Sequence, residues 1–301
     1  MKILLSGATG LIGSALIPAL QKAGYEVIKL VRRAPSDETE IVWDPTRAPD
    51  QRLVDRLSGF DGVIHLAGET IMGRWTAEKK ARIRDSRTIP TRNLCSALAS
   101  ASAKPRVLLS ASAIGIYGNR GDEVLTEESA PGSGFLAEEV AVRWEQATEA
   151  AREAGIRVVN LRIGVVLTPK GGALKEMLLP FRMGVGGKTG SGRQWMSWIA
   201  LEDVVSSIVF LLVNESIAGP VNLTAPKPVT NAEFSKALAS TMRRPAVFSQ
   251  PAFLIRTIFG EMGETLLLGS TRVLPRKLEA SGYRFKYSEV NEALRAMVGE
   301  R

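Results

Sequence analysis

Apolar and polar positions fall in alternating blocks along the first part of the chain. Residues 3–5, Ile-Leu-Leu, form a short apolar run that stops at Ser6-Gly7, and Leu11, Ile12, Ala15, Leu16 and Leu20 then recur at helical spacing. Further strand-like runs follow at 25–31, 40–43, 61–68, 106–110 and 156–163, with helical patterns at 76–101 and 136–154 between them. Near-continuous apolar runs belong to strands covered on both faces, and their alternation with helices predicts an α/β fold with a doubly wound parallel sheet. Ligands of such sheets bind beyond the carboxyl ends of the strands. The informative positions are therefore 7–13, 32, 66–68, 110–117 and 164–165.

Beyond Val166 the alternation loosens. Glycine-rich stretches at 168–172 and 184–193 bracket a helical pattern at 174–181. A strand at 195–199, a helix at 202–213 and a short strand at 221–223 then return to the main core. Thr230-Asn-Ala-Glu233 carries a capping-box pattern ahead of a helix, and 251–297 reads as short helices interrupted by Pro275 and Gly282. The expected organisation is a Rossmann-type domain over 1–166, completed by about 195–223. A smaller, mostly helical lobe, 167–194 and 224–301, lies over the ligand end.

The first strand end has the most specific chemistry. In Gly7-Ala-Thr9-Gly10-Leu11-Ile12-Gly13, Gly7 lets the backbone bend as the strand ends and Gly10 removes a side chain that would hold off a diphosphate. Gly13 lets the new helix pack closely. The helix's first amides then face the phosphates. At the end of the second run, where a carboxylate would bind the ribose hydroxyls of NAD, Val31 is followed by Arg32 and Arg33. Two guanidiniums suit a 2′-phosphate, so the expected cofactor is NADP(H).

Composition narrows the class. With 301 residues and 45% hydrophobic content the chain can bury one large core, or a core plus a small lobe. No apolar run approaches the roughly 18 residues of a membrane span, and no cleavable leader is visible, so a cytoplasmic protein is expected. One cysteine, Cys95, excludes an internal disulfide; it sits among apolar residues and reads as a buried thiol. His65, the one histidine, stands inside an apolar strand and reads as structural. The net charge of +8 comes from scattered Lys and Arg without interleaved aromatics, which argues against nucleic acid and for an anionic cofactor or substrate.

These motifs, with His65-Leu66-Ala67-Gly68, Ser110-Ala-Ser112, Ile116-Tyr117-Gly118 and Trp198-Ile-Ala-Leu-Glu-Asp203, resemble the extended, epimerase-like branch of the short-chain dehydrogenase/reductase superfamily. Leu161-Arg-Ile-Gly-Val-Val-Leu167, Gly186-Gly-Lys188 and Val273-Leu-Pro-Arg-Lys-Leu278 narrow this to an atypical NADP-binding epimerase-like group. The resemblance implies that residues 9–12 lie at the diphosphate and Arg32 at the 2′-phosphate. It places Leu66 and Ala67 along adenosine and ribose, Arg87 near the cofactor, and Ile163 to Val165 beside the nicotinamide. It also implies that Ser112 orients a substrate oxygen.

One departure limits the functional expectation. Active members of the superfamily transfer the proton with a tyrosine helped by a lysine four residues later, and the helix that should carry the pair reads Gly134-Phe-Leu-Ala-Glu138-Glu139-Val-Ala-Val-Arg-Trp-Glu145. Tyr117 is the candidate replacement acid, with Glu138 and Glu139 behind it. Lys188, Arg193, Trp195, Trp198 and Arg276 are candidates to line a site for a small, anionic molecule. The leading expectation is an NADP(H)-dependent reductase or epimerase, nucleotide-linked substrates included. The alternatives are an NADP(H)-sensing regulator and, third, a basic nucleic-acid-binding regulator. Substrate identity and oligomeric state stay open at this level.

Overall fold

The computed structural model describes residues 1–246 and 248–299. Its centre is a seven-stranded sheet: β1 (Lys2–Ser6), β2 (Glu26–Val31), β3 (Glu40–Val42), β4 (Gly62–His65), β5 (Val107–Ala113), β6 (Arg157–Ile163) and β7 (Gly219–Leu223). The spatial order is β3-β2-β1-β4-β5-β6-β7, and every pairing is parallel. Alternate residues of each strand feed two cores. Ile3, Leu5, Ile64, Leu109 and Val159 pack with Leu16, Leu20 and Ile208 on one face. Leu4, Val63, Leu108 and Val158 pack with Leu94, Cys95 and Leu98 on the other. Two buried faces explain why these strands read as nearly unbroken apolar runs.

Strand lengths set where chemistry can sit. β5 runs to Ala113, three residues beyond the expected end, because Ala111, Ser112 and Ala113 stay in register with Leu161, Arg162 and Ile163 of β6. β4 stops at His65, paired with Ser110, so the last turn of β5 projects past it. The expected helix at 136–154 is divided: Phe135–Val142 is a π-helix, followed by short α-helices Arg143–Gln146 and Glu149–Glu153. Thr148 marks the break, its hydroxyl donating to the Glu145 carbonyl at 2.6 Å.

The carboxyl-terminal lobe carries helices Gly172–Arg182, Asn231–Thr241, Ala252–Leu266, Arg276–Ala280 and Val290–Val298. The capping box at Thr230 and Glu233 forms as its sequence pattern implies. The expected strand at 195–199 is two, Trp195–Met196 and Trp198–Ala200, paired to Val229–Thr230 and Val165–Leu167 respectively. Asp203, on the buried side of helix Leu201–Val213, fastens the lobe. Its Oδ1 accepts from the Lys286 amide at 2.7 Å and its Oδ2 from the Tyr287 amide at 3.1 Å. Among the described residues no helix is long and apolar enough to cross a membrane.

Candidate functional site

The loop after β1 is built so that only glycine fits at two of its three positions. A β-carbon on Gly13 would lie 2.2 Å from the Gly7 carbonyl oxygen, and one on Gly7, whose φ is +75°, would lie 2.8 Å from the Leu66 carbonyl carbon. Gly13 therefore lets the first helix, Leu11–Lys22, press onto the loop itself. Gly10 is looser, with its β-carbon site 3.3 Å from the same Gly7 oxygen. It is the helix N-cap and offers no side-chain acceptor, and the first turn holds no acidic residue. The leading amides, from Leu11 onward, thus face outward without a capping group, beside the exposed Thr9. Such a cradle fits a diphosphate.

At the end of β2 the two arginines part company. Arg33 grips Glu40 at the start of β3 through two hydrogen bonds of 2.8 Å and also donates to Ser36 Oγ and the Ala34 carbonyl. Hydrogen bonds from Arg33, the Ser36 amide and Lys29 hold the Glu40 carboxyl down to about 2. Arg33, expected beside Arg32 at a 2′-phosphate, is thus committed within the protein. Arg32 is exposed and has no hydrogen bond or ion pair among the described residues.

Leu66, Ala67 and Gly68 leave β4 as a loop pressed on Gly7. Arg87, on the long helix Ala77–Ser100, lies against that loop rather than reaching toward the diphosphate. It donates to the Glu69 carbonyl and to the Ile83 carbonyl, each at 2.9 Å, and covers the Trp144 ring at 5.1 Å. Burial brings its guanidinium down to about 10. Ile163 and Val165 are half-buried, on either side of Gly164, where a β-carbon would meet the Ser197 carbonyl oxygen at 2.7 Å.

The projecting end of β5 carries a chain of polar contacts. Ser112 Oγ donates to Glu145 Oε1 at 2.7 Å, and Arg162 grips both oxygens of Glu145, Nε to Oε1 at 2.8 Å and Nη2 to Oε2 at 2.9 Å. Burial works against the Arg162 charge, but the bonds and charge of Glu145 outweigh it and raise its pKa. Arg162 Nη1 also donates to the Tyr117 hydroxyl at 2.9 Å, and that hydroxyl donates to Asn222 Oδ1 at 2.7 Å. Tyr117, the expected replacement acid, is fully buried with its phenol occupied on both sides, and burial raises its pKa. This placement removes it from the candidate acids. Glu138 caps the Gly134 amide at 3.1 Å and Glu139 lies 3.6 Å from Arg84.

Other candidates separate in the same way. His65 is buried, with Nδ1 2.6 Å from Ser6 Oγ, and burial lowers it to about 4. Trp198 is fully buried, its indole donating to the Lys227 carbonyl, so it belongs to the core of the lobe. Trp195 is half-exposed, bonded to Asp122 and covered by Arg272 at 4.2 Å; Lys188 and Arg193 are exposed, and Arg276 pairs with Glu279. Sequence reasoning missed Glu145 and Arg162. The available signal was an arginine inside the apolar run of β6, which must find a carboxylate when buried.

Comparison with known proteins agrees with the fold. The model of the NAD dependent epimerase/dehydratase family matches residues 3–223, and a Domain of unknown function (DUF1731) matches 250–297. Epimerase family protein Mb2239 of Mycobacterium bovis is 43% identical over 293 residues, covering 97% of this chain and 96% of that protein. Epimerase family protein YfhF of Bacillus subtilis is 38% identical over 306 residues, covering 100% and 99%. The crystal structure of human epimerase family protein SDR39U1 (isoform 2) with NADPH superposes with a TM-score of 0.90 at 31% identity, covering 99% of both chains.

Proposed function

The chain belongs to the NAD dependent epimerase/dehydratase family, and from that premise we propose that it binds NADP(H) and acts as an oxidoreductase or epimerase on a small, anionic molecule, nucleotide-linked ones included. The observation that carries this reading is the loop of residues 7–13, with outward amides, no capping side chain and no room for a β-carbon at Gly7 or Gly13. Thr9, Gly10, Leu11 and Ile12 would hold the diphosphate, and Arg32 the 2′-phosphate. Leu66, Ala67 and Gly68 would border adenosine and its ribose, and Ile163 and Val165 the nicotinamide. The NADPH carried by the human relative supports the choice of cofactor. A nicotinamide held there would supply or accept hydride. The chain's own part is to present Ser112 to the substrate oxygen and to exclude water with the carboxyl-terminal lobe.

A second reading, an NADP(H)-sensing regulator, draws on the helix of residues 135–146, which has neither the tyrosine nor the lysine that active members of the superfamily use. One pair of measurements separates the two. NADPH and NADH are titrated into the purified protein, and NADPH consumption is then followed against aldehydes, ketones and nucleotide sugars. Binding with turnover that Ser112→Ala abolishes supports the enzyme. Binding without turnover, with altered protease sensitivity of residues 251–299, supports the sensor. No affinity for either cofactor ends both.

A further inference from the structure

We propose that the groove between helix Ala77–Ser100 and helix Arg143–Gln146 is a second anion site, separate from the loop of residues 7–13, and that it takes a phosphate monoester. The proposal stands apart from the functional reading above, because no residue of the glycine loop or of the nicotinamide border lines this groove. Arg84, Thr88 and Arg92 follow one another at four-residue spacing and form one stripe of the long helix. Arg143, Gln146 and Ala147 line the opposite wall.

The charges in the groove do not balance. Among the described residues Asp85 is the one acid that lines it, and it is committed to Arg84 through bonds of 2.7 and 3.3 Å; Glu139 reaches the same arginine at 3.6 Å. Arg92 and Arg143, one from each wall, are exposed and have no hydrogen bond or ion pair among the described residues. Two guanidiniums facing one groove repel each other, and an anion between them turns that repulsion into two attractions.

The uncharged residues of the groove narrow the ligand. Thr88 is only 9% exposed, and its Oγ1 has no hydrogen-bond partner among the described residues. A threonine inside a helix ordinarily bonds the carbonyl four residues back; the Thr88 hydroxyl does not, and a change of rotamer turns it to a ligand oxygen. Guanidinium forks and a hydroxyl match a phosphate, which accepts from several donors at once. The groove measures about 660 Å³, more than a bare ion fills and within the roughly 300–1,000 Å³ of small-molecule sites. Ile89 and Ala147 add apolar carbons suited to the organic part of an ester.

The same two helices steady the loop after β4. Trp144, next to Arg143, carries the Arg87 guanidinium on its ring, and Arg87 holds the Glu69 carbonyl. A monoester bound between Arg92 and Arg143 would tie these helices together.

Calorimetric titration tests the site directly. Phenyl phosphate and inorganic phosphate are titrated into wild type, Arg92→Gln, Arg143→Gln, Thr88→Val and Arg47→Gln, the last removing an equal charge from an exposed arginine outside the groove. Thermal unfolding confirms that each variant is folded. Phenyl phosphate should bind wild type about fivefold more tightly than inorganic phosphate, because its ring covers Ile89 and Ala147. Arg92→Gln and Arg143→Gln should each weaken it about tenfold, Thr88→Val about threefold and Arg47→Gln less than about twofold. A phosphate held by the glycine loop does not respond to Arg92 or Arg143, so an affinity unmoved in both variants overturns the site. Wild type that binds no phenyl phosphate up to about 10 mM overturns it as well. Equal affinity for the two phosphates overturns the monoester as its ligand.

Discussion

Arg33 and Glu40 close on each other through two hydrogen bonds of 2.8 Å, and this fork leaves Arg32 as the guanidinium at the end of β2 without a partner among the described residues. Arg32→Ala should therefore cost about tenfold or more in NADPH affinity, the worth of a charge-assisted phosphate contact, with little change for NADH. Arg33→Met should keep the NADPH-to-NADH ratio and lower the thermal midpoint instead. Isothermal titration with both cofactors decides it; a preference lost only in the Arg33 variant would reverse the assignment.

The glycines of the loop should fail in different ways. Gly13→Ala places a carbon 2.2 Å from a backbone oxygen that cannot yield, so it should cost about 3 kcal/mol of stability. At Gly10 the added carbon meets the same oxygen at 3.3 Å, a contact the loop can absorb. Gly10→Ala should then unfold within about two degrees of wild type yet bind NADPH about tenfold more weakly, because the new methyl stands where the diphosphate approaches. Thermal unfolding and cofactor titration on both variants check the contrast.

His65 gives the fold a pH dependence of known sign. Burial lowers its pKa from 6.5 to about 4, so the unfolded chain binds a proton between those values and the folded chain does not. Stability is then complete above pH 6.5 and falls as the pH drops toward 4, by roughly 3 kcal/mol in all. His65→Asn should remove this slope. Glu40 acts in a lower window, from 4.5 down to about 2, so the two are separable by denaturant titrations at stepped pH. A wild-type curve flat between pH 6.5 and 4.5 would contradict the buried neutral imidazole.

Tyr117→Phe tests whether the phenol is structural. The change strands Arg162 Nη1 and Asn222 Oδ1 in the interior and should cost about 2 kcal/mol. NADPH affinity should stay within about threefold of wild type once the protein is folded, and any turnover should fall by about tenfold at most, through the loosened hold of Arg162 on Glu145 beside Ser112. Turnover lost at intact stability would return the phenol to the list of acids.

The parts of the molecule that were legible beforehand are those fixed by local pattern. The apolar runs gave β1 to β6 because both faces of the sheet are buried, and the glycine spacing at 7–13 gave the cradle because each glycine answers a steric need within a few residues. Thr230 and Glu233 cap their helix for the same local reason. The rest depends on partners distant in sequence. Arg33 is spent only because β3 places Glu40 beside it, and the Tyr117 phenol is spent because β6 and β7 bring Arg162 and Asn222 to it. The pairing of Ser112, Glu145 and Arg162 needs both the register of β5 on β6 and the helix break at Thr148, and neither leaves a periodic trace.

The last strand of the sheet arrives late. β7 lies against β6, Gly219 opposite Val159, although the whole of helix Gly172–Arg182 and helix Leu201–Val213 separate them along the chain. During synthesis, at roughly 5–20 residues per second, β6 must wait as a bare edge until residue 223 has left the ribosome. Unpaired edges recruit other chains. The nucleotide-binding half is therefore no detachable module: a fragment ending ahead of β7 would carry the complete glycine loop and still clump, since its sheet is sealed by residues translated after most of the second lobe's first helix and strand.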